Sequence, residues 1–219
     1  MRLSDTMYKY KAVVFDLDGT LLDTSEGIIK SVDYTIAHMG FKELTLEEKR
    51  LFIGPPIQHS FKRVYSLDDE KTEMAAKIFR KQYSNVDLFE AKVYGGIIEL
   101  LVSLKENNIK IGVATYKRED YAAKILTHFG IDVYCDSIQG SDYEGVLTKQ
   151  DIIDNCISEL QVDKETVLMV GDTDNDKIGA ERAGVDFLGV GYGFGYKAGE
   201  SSLDLFASAV SDIKNFIYK

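Results

Sequence analysis

Residues 13–22, with the sequence VVFDLDGTLL, constrain the fold more than any other stretch of the chain. An apolar run of strand-forming residues ends in two aspartates, and side chains at i and i+2 of a strand point to one face. Asp16 and Asp18 therefore leave the strand on the same side, where Gly19 permits a sharp turn. Two neighbouring carboxylates repel each other unless a cation lies between them or one holds a proton. The stretch predicts a buried strand that ends in a chemically active site.

Composition limits the classes of protein and partner. The chain has 219 residues, of which 45% are hydrophobic, which suffices for one large core or for a core and a small domain. Its net charge of −10 argues against a nucleic-acid polymer or an anionic membrane as a partner. No apolar run is long enough to cross a membrane. The two cysteines have no metal-ligand spacing and favour free thiols in a reducing cytoplasm.

From residue 93 onward, apolar strand patterns alternate with helical patterns, which predicts a parallel sheet with helices on both faces. Strands are expected at 11–16, 109–114, 137–139, 166–170 and 187–190. Helices are expected at 97–106, 119–129, 148–160 and 175–183. Residues 23–90 contain helical patterns, among them one at 25–39 and a capping box that begins at Thr45, and no convincing strand. We therefore predict a Rossmann-like α/β core of residues 1–22 and 91–219, with a helical domain of residues 23–90 inserted after the first strand.

The sequence DLDGTL after a buried strand resembles the first motif of the haloacid dehalogenase superfamily, most of whose members are Mg-dependent phosphatases. The resemblance implies that Asp16 is a nucleophile that accepts a phosphoryl group. It also implies that Asp18 is the general acid and base, that both residues belong to the metal site, and that Asp18 and Gly19 contact the phosphate. An ordinary acidic turn at a strand end is the structural alternative.

Residues 167–176, VLMVGDTDND, resemble the fourth motif of that superfamily. The resemblance implies that Asp172 binds the metal and that Asp176 supports the metal shell. Hard carboxylate oxygens, completed by water and substrate phosphate, suit Mg²⁺. Aspartates that merely complement the dipole of a helix are the structural alternative.

Two further segments resemble the second and third motifs. Residues 111–115, IGVAT, resemble a strand whose final hydroxyl, that of Thr115, binds a phosphoryl oxygen. Tyr116 follows, where many such sequences have Asn or Ser, and it is assigned to the same phosphate site. Lys149, near the start of a helix, resembles the lysine that offsets negative charge on nucleophile and phosphate. The other candidate lysine, Lys117, is interpreted as a solvated turn residue.

Four glycines alternate after the last predicted strand, but they do not form a dinucleotide-binding fingerprint. They are Gly189, Gly191, Gly193 and Gly195. We interpret this segment as a mobile loop that leaves the edge of the sheet.

These resemblances imply a Mg²⁺-dependent phosphatase that hydrolyses small phosphomonoesters through an aspartyl-phosphate. The sequences FIGPP at 52–56, ATYK at 114–117 and GSD at 140–142 look like those of the phosphoglycolate phosphatase group and its 5′-nucleotidase-like branch. The alternatives are a 5′-nucleotidase that acts on nucleoside monophosphates, a phospho-receiver, or a non-catalytic phosphate-binding protein. The expected partner is a small phosphorylated metabolite, the expected state is a monomer or weak dimer, and Gln58 and Lys62 are expected to influence substrate choice.

Overall fold

The computed structural model describes residues 9–197 and 203–218, and the elements below belong to these residues. The strands are β1 (Ala12–Phe15), β2 (Leu22–Asp23), β3 (Lys92–Val93), β4 (Lys110–Arg118), β5 (Ser137–Ser141), β6 (Val167–Gly171), β7 (Asp186–Val190) and β8 (Phe206–Ala207). The helices are α1 (Ser25–Met39), α2 (Leu46–Arg50), α3 (Ile57–Tyr65), α4 (Asp69–Gln82), α5 (Ile97–Glu106), α6 (Glu119–His128), α7 (Lys149–Leu160), α8 (Asp174–Ala183) and α9 (Lys214–Ile217). None of these helices is both long enough and apolar enough to cross a bilayer.

The main sheet has the strand order β5-β4-β1-β6-β7-β8, and every pairing in it is parallel. Its central strand, β1, is fully buried along its length. Ala12 and Val14 pack in a cluster with residues of α7 and α8. Because side chains alternate along a strand, Val13 and Phe15 face the other side, and both are completely covered too. This confirms the predicted parallel sheet with helices around it.

Strand β4 is longer than predicted. The expected strand ended at Ala114, but the observed one continues to Arg118, which pairs with Ser141 of β5 after a register shift. Residues Thr115, Tyr116 and Lys117 therefore lie within a strand and not in a turn. The short edge strand β8 was also missed, because only two residues pair with β7 and their pattern is too short to detect.

The described residues divide into two compact units, Asp23–Lys92 and the remainder. Within Asp23–Lys92, α1 has the predicted bounds, and the capping box at Thr45 is confirmed by bonds of 2.7 and 3.3 Å with Glu48. Beyond α4 the chain continues as a π-helical turn, Tyr83–Asp87. Its last carboxylate is buried and accepts hydrogen bonds from Ser31 and Gln82 at 2.7 and 3.0 Å. This unit therefore has its own polar anchor beneath its helices.

Candidate active site

The ends of neighbouring strands bring the sequence-predicted acids to one edge of the sheet. Asp16 follows β1 directly, and Asp172 follows β6, the parallel neighbour of β1. The Asp16 amide donates to the Val170 carbonyl at 2.9 Å, which extends the ladder of the two strands by one bond. Thr115 belongs to β4, the neighbour on the other side, and is almost fully buried. The carboxyl edge of three adjacent strands therefore carries these side chains.

The turn after Asp16 is tight and depends on glycine. The Leu17 carbonyl accepts bonds from the amides of Thr20, Leu21 and Leu22, and the Gly19 amide donates back to the Leu22 carbonyl at 2.8 Å. Gly19 has a φ of 84°, a conformation that side chains rarely adopt. A Cβ atom there would also lie 2.3 Å from Oδ2 of Asp172. The second acidic segment therefore packs directly on the first.

Lys149 joins two of the acids. Its Nζ lies 2.6 Å from Oδ1 of Asp16 and 2.7 Å from Oδ1 of Asp176, and the side chain is only 3% exposed. Burial by itself would lower the pKa of Lys149, but the two carboxylates outweigh it and raise that pKa. Gly179 of α8 allows this approach, because a Cβ there would lie 2.6 Å from Cγ of the lysine. Lys149 is therefore a permanently charged cation at the centre of the cluster.

Asp176 is held on both of its carboxylate oxygens. Oδ1 pairs with Lys149, and Oδ2 accepts from the Thr173 amide and hydroxyl at 3.1 and 2.7 Å. The second pair of bonds fixes the first turn of α8, as an N-terminal cap does. In this arrangement Asp176 supports its neighbours and offers little free coordinating capacity.

Asp172 has one satisfied and one orphaned oxygen. Oδ2 accepts from the amides of Phe194 and Gly195 at 2.7 and 3.2 Å, whereas Oδ1 is buried with no hydrogen-bond partner. Burial, reinforced by the nearby carboxylates, raises the pKa of Asp172 to about 8. Residues 191–196, called the glycine loop below, were predicted to be mobile. The structure shows this loop hydrogen-bonded to a buried acid, whereas its mobility stays a prediction.

The cluster fits a divalent cation. Asp16, Asp172 and Asp176 each place a carboxylate oxygen within 4.8 Å of the others, and all three residues are buried. Burial raises the pKa of Asp16 to about 7, although the charge of Lys149 opposes this. A cation would relieve both the repulsion and the orphaned oxygen of Asp172. Oxygen-only donors of this kind suit a hard divalent metal.

Asp18 is paired with the second lysine. Lys117 Nζ lies 3.0 Å from Oδ1 of Asp18, and each side chain is 5% exposed. The interpretation of Lys117 as a solvated turn residue is therefore wrong: β4 continues past this position, and the side chain lies inside the site. Asp18 is not a member of the three-carboxylate cluster found among the described residues. Its assignment to the metal site stays a prediction.

Tyr116 contacts Lys149 and its helix. The Lys149 amide, at the start of α7, donates to the Tyr116 hydroxyl at 2.9 Å, and the ammonium lies 5.6 Å from the centre of the ring. The neighbouring Thr115 hydroxyl accepts from the Lys117 amide at 3.1 Å. The Tyr116 hydroxyl thus satisfies an orphan amide of the helix N-terminus. No local pattern announces this contact, since the two residues lie 33 positions apart.

Comparison with known proteins agrees with this arrangement. Residues 13–190 match the family described as haloacid dehalogenase-like hydrolase. The chain is 37% identical over 194 residues to a 5′-nucleotidase of Pseudomonas aeruginosa, covering 88% of each chain. It is 35% identical to the pyrophosphatase PpaX of Halalkalibacterium halodurans, covering 82% of this chain and 83% of the relative. The crystal structure of a predicted phosphatase from Clostridium acetobutylicum superimposes with a TM-score of 0.88 at 36% identity, covering 94% of this chain and 97% of that chain.

The chain therefore belongs to the haloacid dehalogenase-like hydrolase family, as the first motif implied. Within that family it is an enzyme of the phosphatase type.

Proposed function

We propose that the protein is a Mg²⁺-dependent phosphatase that hydrolyses small phosphomonoesters through an aspartyl-phosphate on Asp16. The observation that supports this most strongly is the separation of the two aspartates of the first motif. Asp16 pairs with Lys149 at 2.6 Å, whereas Asp18 pairs with Lys117 at 3.0 Å. Two carboxylates only two positions apart in the sequence thus have different environments, as a nucleophile and an acid–base group require.

In the proposed reaction, a carboxylate oxygen of Asp16 attacks phosphorus, and the bond from phosphorus to the leaving oxygen breaks. We propose that Asp18 is protonated once the substrate is bound and that it gives this proton to the leaving oxygen, so that a neutral alcohol departs. The resulting Asp18 carboxylate then takes a proton from water as the water oxygen attacks the aspartyl-phosphate. This step releases inorganic phosphate and restores both side chains.

Charge stabilisation is the main task of the remaining residues. Lys149 faces the nucleophile, and we propose that it also neutralises the transferring phosphoryl group, to which the Thr115 hydroxyl and the amides after Asp16 donate. The bound Mg²⁺ would be held chiefly by Asp16 and Asp172, and it would supply further positive charge at the phosphate. Asp176, with both oxygens engaged, would hold Lys149 in place.

Phosphate release tests the proposal. The purified protein should release phosphate over many turnovers, lose this activity on chelation and regain it with Mg²⁺. Asp16→Asn should show no turnover because an amide does not attack phosphorus, whereas Asp154→Asn, at an exposed ion pair with Lys164, should keep full activity. One stable phosphorylation per chain without continued release would instead identify a phospho-receiver. Full activity after thorough chelation would refute the metal requirement.

The substrate is proposed at the level of a class. The sequence resembles the phosphoglycolate phosphatase group, and a relative at 37% identity is named a 5′-nucleotidase. We propose small phosphomonoesters of these two kinds, and a panel should compare phosphoglycolate, nucleoside 5′-monophosphates and pyrophosphate at equal concentration. The highest kcat/KM on pyrophosphate would contradict a preference for monoesters.

We propose that the helical unit Asp23–Lys92 influences which ester is accepted. Gln58, at the start of α3, is partly buried and accepts a bond from Arg80 at 3.1 Å, whereas Lys62 is exposed and pairs with Asp69. Gln58→Ala should change the ratio of kcat/KM between phosphoglycolate and a nucleotide while sparing nitrophenyl phosphate. Lys62→Ala should do the same if both residues take part. An equal loss on every ester would mean that these residues only stabilise the unit.

A further inference from the structure

The glycine loop, residues 191–196, is tied to both acidic segments of the site. The Tyr192 hydroxyl donates to the Thr20 carbonyl at 3.0 Å, next to the turn of the first motif. The Tyr196 hydroxyl donates to Oδ1 of Asp174 at 2.9 Å, at the start of α8. Between these two anchors, the amides of Phe194 and Gly195 point at Oδ2 of Asp172. The amide of Tyr196 adds a bond to the Asp172 carbonyl at 2.9 Å.

Two glycines make this approach possible. A Cβ atom on Gly193 would lie 2.3 Å from the Gly19 carbonyl oxygen and 2.5 Å from Cβ of Asp172. A Cβ atom on Gly195 would lie 2.2 Å from the Asp172 carbonyl oxygen. Backbone atoms and a Cβ cannot rotate away, so any side chain at these two positions must displace the loop or the acid. Contact with Asp172 therefore explains the glycines at positions 193 and 195.

The hydrogen bonds of the loop engage one carboxylate oxygen of Asp172 and leave the other oxygen without a partner. Two amides hold Oδ2, whereas Oδ1 is buried without a hydrogen-bond partner. A buried carboxylate oxygen without a partner is costly unless a ligand satisfies it. Fixing Oδ2 from one side also fixes the direction of Oδ1, since the carboxylate is planar and rigid.

We propose that the glycine loop is a positioning segment that orients Asp172 so that its free oxygen faces the divalent cation. The inference rests on the proposed function, in which Asp172 is a ligand of that cation. Groups that orient a metal ligand commonly change metal affinity by about 10- to 100-fold when they are altered. We therefore expect Gly195→Ala to weaken divalent-cation binding by about 10-fold or more. Tyr196→Phe, which removes one anchor and adds no atom, should weaken it by a smaller factor.

The test measures metal affinity without substrate. The metal-free protein is titrated with Mn²⁺, with the free ion followed by electron paramagnetic resonance, and Mg²⁺ affinity is obtained by competition. Gly95→Ala is the matched control, because a Cβ there would meet nothing within 4 Å. It should bind Mn²⁺ like the wild type. In an Asp172→Asn background, Gly195→Ala should cause no further loss, because the oriented ligand is already gone.

The outcomes separate this inference from the proposed function. Normal Mn²⁺ affinity in both Gly195→Ala and Tyr196→Phe would overturn the positioning role while leaving the metal site intact. No Mn²⁺ binding by the wild type would overturn the metal requirement itself, and with it this inference. If circular dichroism shows that Gly195→Ala does not fold, Tyr196→Phe decides the question, because it creates no steric conflict. Equal losses in Gly95→Ala would also contradict the proposal.

Discussion

Replacing Lys117 with methionine should lower the free energy of unfolding far more than the loss of a solvated turn residue would. The substitution keeps the unbranched apolar stem of the side chain but removes the ammonium that lies 3.0 Å from Asp18. Because both side chains are only 5% exposed, the Asp18 charge would stay buried without this cation. Breaking a buried ion pair by removing one partner costs about 3–5 kcal/mol. We expect the free energy of unfolding of the metal-free chain to fall by about that amount.

Urea unfolding followed by circular dichroism measures this loss, and a double-mutant cycle assigns it to the pair. Asp18→Asn and the double variant complete the cycle, in which we expect a coupling energy of about 1.5–3 kcal/mol. Lys164→Met is the matched control. Its ion pair with Asp154 is shorter, at 2.6 Å, but exposed, so that its loss should cost only about 0–1 kcal/mol. Equal losses in Lys117→Met and Lys164→Met, with a coupling energy below about 0.5 kcal/mol, would refute the reasoning.

Three further predictions concern the acids and Tyr116. Mg²⁺ should raise the melting temperature more at pH 8.5 than at pH 5.5 in a thermal shift assay. Burial raises the pKa of Asp172 to about 8, so the metal-free chain loses the stabilising protonated form of this residue as the pH rises through that value. An equal rise in melting temperature on adding Mg²⁺ at both pH values would contradict this. Asp18→Asn should slow hydrolysis of alkyl phosphates more than that of nitrophenyl phosphate, because the nitrophenyl leaving group needs little protonation. Equal losses of activity on both esters in steady-state assays would argue for a structural role. Tyr116→Phe removes the hydroxyl bound to the Lys149 amide, so it should lower the free energy of unfolding by about 1 kcal/mol. It should also reduce kcat more than it changes KM. An unchanged urea midpoint would count against that contact.

The features that the sequence predicted well depend on local patterns. The apolar run before Asp16 identifies the buried strand β1. Apolar residues at helical spacing and a terminal glycine give the bounds of α1, and the capping box at Thr45 is written in four consecutive residues. The alternation of strand and helix patterns can also be recognised locally, and it predicts the parallel sheet.

The features that were missed depend on partners far away in the chain. Lys117 belongs to β4 because β5 extends the pairing to Arg118, and nothing around Lys117 reports that neighbour. Its ion pair with Asp18 spans about a hundred residues of sequence. The glycine loop reads as a mobile segment when considered alone, since its hydrogen bonds to Asp172 become evident only in the folded chain.

The order of the site residues along the chain has a consequence for synthesis. Asp16 lies near the beginning, but Lys149 and Asp172, which lie beside it, are made in the last third of the chain. The glycine loop, which holds Asp172, is made there too. The central strand β1 also pairs with β4 and β6, which are both made later than β1. A nascent chain that emerges from the ribosome with its amino terminus first therefore displays the DLDGTL motif long before it holds a complete reaction centre. Translation that stops before residue 191 should yield fragments that leave cellular phosphate esters untouched.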